Sequence, residues 1–350
     1  MKKILSILMI AIMMVSALAV PVCADEDIIL NRATILGAWY GQYTGHSNSV
    51  YVERYMNMTI EECDEKGNIK GTANVTTVEG QGYDEQWINY TFKGKIDFDT
   101  MDFYMKGSKI LSANSSTSWS FAEFGGKVEG DVISGIVDNT KDKLFSFGRV
   151  SEWAKDEVTL ANAYGLVPAT MKNKDLSKPV TRAEFAAISL ELYEALEGVE
   201  VPEATSNFTD IAYSPDKAAI EKAYSLNITV GIEDTIFGPE NNITREQIAT
   251  MLCRTIKKHK FDDWTFATDN EYYLDSEGVK KFADDADISD YARPSVYYMA
   301  KMGIVNGIGN NTFAPRNITS QQTAEGYANA TREQAIALSY RIYNLSEMWK

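Results

Sequence analysis

A four-residue motif occurs three times in this chain, as Thr181-Arg182-Ala183-Glu184, Thr244-Arg245-Glu246-Gln247 and Thr331-Arg332-Glu333-Gln334. Each copy opens a stretch whose apolar residues recur at helical spacing. A Thr followed three residues later by Glu or Gln is a capping box, which satisfies two backbone N–H groups at the start of a helix. The motif therefore predicts three helix starts in the second half of the chain.

The capping box explains the Thr and the Glu or Gln of each copy, but it does not explain the arginine. Arg182, Arg245 and Arg332 stand at the first helical position, where the helix dipole is positive and a cation is mildly unfavourable. A guanidinium beside free N–H groups makes an anion-binding corner, so the three arginines are candidate ligand-binding residues. The motif alone leaves a second interpretation open, in which each arginine pairs with a carboxylate of a neighbouring repeat and braces the fold.

Residues 1–24 have the pattern of an export signal. Lys2 and Lys3 form the charged start, an apolar stretch runs from Ile4 to Val20, and Val22-Cys23-Ala24 is a small-residue cleavage site. No later segment approaches the roughly 20 apolar residues that span a bilayer. We therefore expect a secreted protein with no membrane span after cleavage of the signal.

The composition restricts the classes of partner. The formal net charge is −15, and loss of Lys2 and Lys3 with the signal would make it −17. Because phosphate binding needs a clustered basic face, we expect no nucleic-acid partner. Two cysteines, Cys63 and Cys253, would remain, and they form no disulfide framework. The two histidines have no second ligand at metal spacing, so we predict no metal and no other cofactor.

Residues 33–150 are predicted to form β-structure. About eight short candidate strands alternate with turn signals, without a helical stretch between them. The turns are Glu65-Lys66-Gly67-Asn68, Asp97-Phe98-Asp99-Thr100 and Asp138-Asn139-Thr140-Lys141. Short strands at even spacing favour an all-β antiparallel barrel or sandwich.

The opening of this domain, Gly37-Ala38-Trp39-Tyr40-Gly41-Gln42-Tyr43-Thr44-Gly45, resembles the first strand of lipocalin-like β-barrels. Trp87 and Trp119 flank polar segments and are candidates to stack on a sugar or to close a small pocket. The plainer interpretation makes both of them core or rim residues of the barrel. No convergent pair of catalytic carboxylates can be assembled here, so we expect no enzyme.

The second half of the chain repeats more than the capping box. Copy two has Phe208-Thr209-Asp210, a helical stretch, Gly231 and Phe237-Gly238-Pro239 before its capping box. Copy three has Phe282-Ala283-Asp284, a helical stretch, Gly307 and Phe313-Ala314-Pro315, and then an insertion within residues 317–330. Copy one begins at Trp153-Ala154 and lacks the Phe-x-Asp element. Helix–loop–helix units of this size cannot each bury a core, so we expect them to pack on one another.

This pattern of Phe-x-Asp, helix, Gly-Ile-Val-x-Gly, Phe-x-Pro and Thr-Arg-[Ala/Glu]-[Glu/Gln] resembles the S-layer homology (SLH) domain. The resemblance implies an all-α, three-fold pseudo-trimer of helix–loop–helix units that anchors a protein non-covalently to the secondary cell-wall polysaccharide. The implied repeats are residues 151–200, 206–262 and 280–347.

The same resemblance implies binding residues. In that family, grooves between the repeats hold a terminal pyruvylated sugar. The residues carried over as polysaccharide-binding candidates are Arg182, Arg245, Arg332, Asp210, Asp284, Gly231, Gly307 and Trp153. Val167-Pro168 replaces the Gly-containing turn in copy one, and the insertion in copy three could cover a groove, so one or two working grooves are also consistent with the sequence.

The sequence thus predicts a protein at the cell surface or cell wall of a Gram-positive-type bacterium, with a β-barrel displayed by an SLH anchor. The barrel's own partner, a glycan or a small molecule, is not specified. Two alternatives stay open: a structural component of a surface layer, or a barrel that acts as a ligand carrier or an enzyme. An apolar lumen with few polar groups would indicate a carrier.

Overall fold

The computed structural model describes residues 31–47, 50–77, 86–114, 120–172 and 174–346. The predicted export signal, residues 1–24, and Trp119 lie outside the described residues.

An antiparallel β-barrel forms the first half of the chain, as predicted. Within the described residues, eight strands pair in sequence order and β8 closes on β1. This closure distinguishes the barrel from the sandwich alternative. The strands are β1 Gly37–Ser47, β2 Val50–Cys63, β3 Asn68–Thr77, β4 Gln86–Ile96, β5 Asp102–Ala113, β6 Glu123–Glu129, β7 Val132–Val137 and β8 Thr140–Arg149.

The turns between strands form where the sequence predicts them. Asp64 accepts from the N–H groups of Lys66 and Asn68 between β2 and β3, and Asp97 accepts from those of Asp99 and Thr100 between β4 and β5. Asp138 and Asn139 join β7 to β8 with positive φ angles of 52° each, which suits their short polar side chains.

The interior of the barrel is filled with side chains. Alternate residues of each strand point inward, and most of them are apolar, as Met56, Met58 and Ile60 of β2 illustrate. Phe124 lies fully buried among aromatic rings, 5.0 Å from Tyr43 and 5.3 Å from Phe145 between centroids. These side chains occupy the space in which a carrier would hold its ligand.

Helices form the second half of the chain. They are α1 Lys155–Ala163, α2 Arg182–Glu197, α3 Lys217–Ser225, α4 Arg245–Lys260, α5 Arg293–Lys301, α6 Ser320–Glu325 and α7 Arg332–Ser346, with short 3-10 helices at 169–171, 266–271 and 285–287. Helices α2, α4 and α7 begin at the predicted capping boxes, and α6 lies in the insertion of copy three. No helix in the described part of the chain is both long and apolar enough to cross a membrane.

The barrel and the helices share a core. Ala38, Tyr40 and Val150 belong to the same buried cluster as the apolar faces of α1, α2, α4, α5 and α7. The Tyr40 hydroxyl donates to the carbonyl of Met171 at 3.2 Å, and the Leu176 N–H donates to the carbonyl of Arg149 at 3.0 Å. The two halves therefore pack directly against each other.

Replacing Phe124 with Ala should lower the free energy of unfolding by about 3–5 kcal/mol, because the cavity cannot be refilled by the surrounding rings. Tyr104→Ala is the control, since Tyr104 is 43% exposed on β5, and it should change stability by no more than about 0.5 kcal/mol. Calorimetric unfolding of both variants checks this. Equal losses would show that the rings do not form the barrel's core.

Candidate functional site

The predicted capping boxes fix the starts of the arginine-bearing helices. The Glu184 N–H donates to Thr181 Oγ1 at 3.2 Å, and the Thr181 N–H donates to Glu184 Oε2 at 3.0 Å. Thr331 and Gln334 exchange the same pair of bonds at the start of α7. At α4, the Thr244 N–H donates to the side chain of Gln247 at 3.1 Å.

The next N–H groups of these helices donate to loops of other copies. Helix α2 docks on the Pro239–Asn241 turn of copy two, α4 on Pro315 and Ala328 of copy three, and α7 on the 176–178 segment of copy one. The six bonds are Arg182 to Asn241, Ala183 to Pro239, Arg245 to Ala328, Glu246 to Pro315, Arg332 to Lys178 and Glu333 to Leu176, all between 2.9 and 3.2 Å. These N–H groups are therefore taken by protein carbonyls, and the predicted corner of free N–H groups beside each arginine is not present.

Arg182 reaches from α2 into copy two. Its Nε donates to the carbonyl of Phe237 at 3.0 Å and its Nη2 to the carbonyl of Val230 at 2.9 Å. The guanidinium lies 5.0 Å from the centre of the Phe237 ring, a cation–π contact. Arg182 is only 7% exposed, and burial lowers its pKa from the ordinary value. Among the described residues, Nη1 has no hydrogen-bond partner.

Arg245 makes the equivalent contact in copy three. Its Nε donates to the carbonyl of Phe313 at 2.8 Å, and its guanidinium lies 5.3 Å from the Phe313 ring centre. Burial lowers the pKa of Arg245 to about 10, and the nearby Asp284 and Tyr327 oppose that shift. Tyr327 belongs to the insertion of copy three, so the insertion lies beside this arginine.

Arg332 is bound differently. Its Nε donates to both carboxylate oxygens of Glu184 at 2.9 Å, and its Nη1 donates to the carbonyl of Asp175 at 3.0 Å. Glu184 is 2% exposed and also accepts from Lys174 Nζ at 2.7 Å. Burial raises the pKa of Glu184, but the bonds from Arg332 and Lys174 outweigh it and hold the pKa below its ordinary value. Arg332 thus forms the bracing ion pair that the motif left open.

Asp210 and Asp284 hold the turns that the arginines touch. Asp210 accepts from the N–H groups of Phe237 and Gly238 at 2.9 and 2.7 Å. Asp284 accepts from those of Phe313 and Ala314 at 2.8 and 2.7 Å. Burial raises the pKa of Asp210, and the two backbone bonds bring it below the ordinary value. Both oxygens of each carboxylate are therefore engaged with backbone N–H groups.

Gly231 and Gly307 are required by their own turns. A Cβ on Gly231 would lie 2.3 Å from the carbonyl oxygen of Glu233, and one on Gly307 would lie 2.4 Å from that of Thr312. Gly307 also has a φ of +78°, which residues with a side chain rarely adopt. The structure thus gives a packing reason for both glycines.

Trp153 lies half-exposed just before α1, near Glu333 of copy three. Glu333 accepts from the Ser151 N–H at 2.8 Å, which joins copy three to copy one. Glu246 accepts from the N–H and hydroxyl of Ser289 in the same way. Sequence reasoning missed both glutamates, although copies two and three share a Glu directly after the arginine where copy one has Ala183.

A groove opens beside Arg182. This Arg182 groove, of about 580 Å³, runs between Gly231, α4 and α5, and its cations are Arg182, Arg254 and Lys257. Arg254 lies 4.7 Å from the centre of the Phe266 ring, and Lys257 pairs with Asp269 at 2.7 Å. Sequence reasoning identified Arg182 and Gly231 in this groove and missed Arg254, Lys257 and Tyr291, which carry no recognisable motif.

The sequence profile of the S-layer homology domain matches residues 207–249 and 281–324. The chain contains S-layer homology domains. The first match runs from the start of copy two into the first turns of α4, and the second runs from the start of copy three into the insertion. They include the Phe237 turn that Arg182 contacts and helix α5, whereas Arg182 and Arg254 lie outside them. SLH domains are anchoring modules, and their presence indicates a protein of the cell surface or cell wall.

Several curated proteins share this part of the sequence. An amylopullulanase of Thermoanaerobacterium thermosulfurigenes is 32% identical over 59% of this chain, and exoglucanase XynX of Acetivibrio thermocellus is 30% identical over 61%. A cell surface protein of Thermoanaerobacter kivui is 29% identical over 33% of the chain. The chain spans only 10%, 18% and 14% of the length of these proteins, so their similarity concerns a module.

Glu184→Gln tests the buried ion pair with little other disturbance, because Gln keeps the capping box, as in copies two and three. We expect a loss of about 3 kcal/mol at pH 7, since Arg332 would lose its buried partner. The folded-state pKa of Glu184 is lowered, so its stabilisation is complete above the ordinary glutamate pKa and disappears as pH falls below about 4.3. The difference from wild type should therefore shrink in acid.

Calorimetric melting temperatures between pH 7 and pH 3 measure this difference. Glu62→Gln is the matched control, because its ion pair with Lys70 is exposed and should matter much less. A difference between wild type and Glu184→Gln that stays constant over the whole pH range would contradict the ion-pair interpretation.

Proposed function

We propose that this protein is held at the bacterial cell wall by its helical half, with the secondary cell-wall polysaccharide bound in the Arg182 groove. The observation that carries the proposal is a cationic groove of about 580 Å³ in a chain of net charge −15, and the Gly231 turn and the α5 wall of this groove lie within the ranges that match the SLH domain. Local cations in an acidic protein favour an anionic ligand held at short range.

The chemistry of the groove suits a pyruvylated sugar. A ketal-linked pyruvate is a carboxylate, and a guanidinium pairs with a carboxylate in a directed way. Arg182 has its Nη1 free of partners among the described residues, and Arg254 of α4 lines the same groove. Tyr291 is 56% exposed at the groove and offers an aromatic face to a sugar ring. Lys257 is partly neutralised by Asp269 and contributes less.

We further propose that residues 151–200, 206–262 and 280–347 are three SLH repeats in a three-fold arrangement. The support is the cyclic order of contacts, in which α2 docks on copy two, α4 on copy three and α7 on copy one. In this arrangement Arg245, Arg332, Asp210, Asp284 and the two glycines shape the grooves, and Trp153 occupies in copy one the place that Tyr291 has in copy three.

The three arginines would not contribute equally. Arg332 is already paired with Glu184, and Arg245 lies beside Tyr327 of the insertion. The Arg182 groove is therefore proposed as the principal site. Residues 1–24 would direct export, and the barrel would be the part displayed to the surroundings. The alternative, a structural component of a surface layer, predicts concentration-dependent assembly of the protein.

Co-sedimentation of the chain lacking residues 1–24 with purified cell walls tests the proposal. Binding should disappear when the non-peptidoglycan polysaccharide is removed from the walls. Arg182→Lys and Arg254→Ala should each weaken binding about tenfold, because Lys keeps the charge but not the guanidinium geometry.

Lys258→Ala is the matched control, because Lys258 adjoins Lys257 on α4 and does not line the groove. It should bind as wild type does, and melting temperatures should show all three variants folded. Equal binding to stripped walls, or no effect of either arginine change, would overturn the proposed site.

A further inference from the structure

The outer wall of the barrel carries a row of amides across neighbouring strands. Asn57 of β2 lies opposite Asn74 of β3, Asn74 opposite Asn89 of β4, and Asn89 opposite Ser112 of β5. Thr76 and Trp87 form a cross-strand pair in the adjoining row. The members of this patch on β3 to β5 bear no formal charge, although 24% of the residues in the chain are charged. They are Asn74, Thr76, Trp87, Asn89 and Ser112.

The amides of this row are fixed by one another. Asn74 Nδ2 donates to Asn89 Oδ1 at 2.8 Å, Asn89 Nδ2 donates to Ser112 Oγ at 3.0 Å, and Thr76 Oγ1 donates to Asn74 Oδ1 at 3.0 Å. Each carboxamide has two N–H donors and an oxygen with two lone pairs. Within the described residues, Asn89 therefore keeps one N–H donor and one acceptor lone pair for a ligand, in an orientation that the row has already set.

A cleft of about 560 Å³ lies over this row, and we call it the barrel cleft. Trp87 and Leu111, the latter 53% exposed, provide its apolar surface. Helix α1 forms the facing wall with Lys155, Asp156, Thr159 and Leu160. The volume falls within the range of small-molecule sites, about 300–1,000 Å³.

Both charged residues on the facing wall have partners in the protein. Lys155 forms an ion pair with Glu152 and also donates to Thr59. Asp156 accepts from Asn57 Nδ2 at 3.3 Å. The cleft thus presents amides, hydroxyls and one indole ring to a ligand, together with the paired Lys155 and the hydrogen-bonded carboxylate of Asp156.

The packing of helix α1 against the barrel does not account for this row of amides. Contacts of α1 with the row are made from β2, where Asn57 bonds Asp156 and Thr159. Asn74, Asn89 and Ser112 lie on the next three strands and bond each other instead. If the row served only to hold α1 against the barrel, Asn57 alone would be sufficient.

We propose that the barrel cleft binds a neutral glycan chain. Carboxamides offer paired donors and acceptors to sugar hydroxyls, and an indole face covers the apolar face of a sugar ring. An anionic glycan is disfavoured, because Lys155 in the facing wall is already paired with Glu152 and the Asp156 carboxylate would repel a second anion. The barrel cleft shares no lining residue with the Arg182 groove, so this site is additional to the proposed wall anchor.

Isothermal titration of the chain lacking residues 1–24 tests the proposal, with maltohexaose, cellohexaose and chitohexaose as neutral probes and hexagalacturonate as the anionic one. At least one neutral hexasaccharide should bind with a Kd of about 1 mM or tighter, a free energy of about −4 kcal/mol. Trp87→Ala should weaken that binding about tenfold or more, since central aromatic anchors dominate such sites. Asn89→Asp should weaken it too, because it places a charge in the row.

Tyr104→Ala is the matched control, an exposed aromatic residue on the barrel wall outside the cleft, and it should leave hexasaccharide binding unchanged. Trp87→Ala should still co-sediment with cell walls, which separates this site from the anchor. The proposal is overturned if no neutral hexasaccharide binds, if hexagalacturonate binds as tightly, or if Trp87→Ala retains wild-type affinity.

Discussion

The structure of the helical half depends on how three helices begin. The first N–H groups of α2, α4 and α7 lack partners within their own helices, and each helix satisfies them with carbonyls from a loop of another copy. The buried glutamates Glu184, Glu246 and Glu333 reinforce the same junctions with charged hydrogen bonds. Since each copy is completed by another, the copies are expected to fold together and not one by one.

This arrangement also explains why the arginines occupy a position that the helix dipole disfavours. At the first helical position the side chain points back over the docked loop, where Arg182 and Arg245 reach the Phe237 and Phe313 carbonyls. The cost of a cation at a helix start is small, about 0.3–1 kcal/mol, and charged hydrogen bonds to buried carbonyls offset it. An anion bound at one of these arginines would use the guanidinium N–H groups that do not already donate to a backbone carbonyl.

The sequence predicted the elements better than the contacts. Capping boxes and turn residues are local signals, so the starts of α2, α4 and α7 and the turns at Asp64 and Asp97 could be located from a few residues each. The partner of Arg332 could not, because Glu184 is 148 residues away in sequence and a local pattern contains no information about it. The same applies to Arg254 and Tyr291, which share a groove with Arg182 only after all three copies have packed. The amide row was equally invisible, since it requires the strand register.

The junction between the barrel and the helices has a mechanical consequence. Only residues 150–154 separate β8 from α1, and Val150 and Ala154 within this segment are buried in the common core. Helix α1 is in turn bound to α7 by the ion pair between Glu157 and Arg341. Because no flexible linker joins β8 to α1, hydrodynamic drag on the barrel would be transmitted as torque to the helical half. The barrel would keep a fixed orientation relative to any surface that the helical half binds.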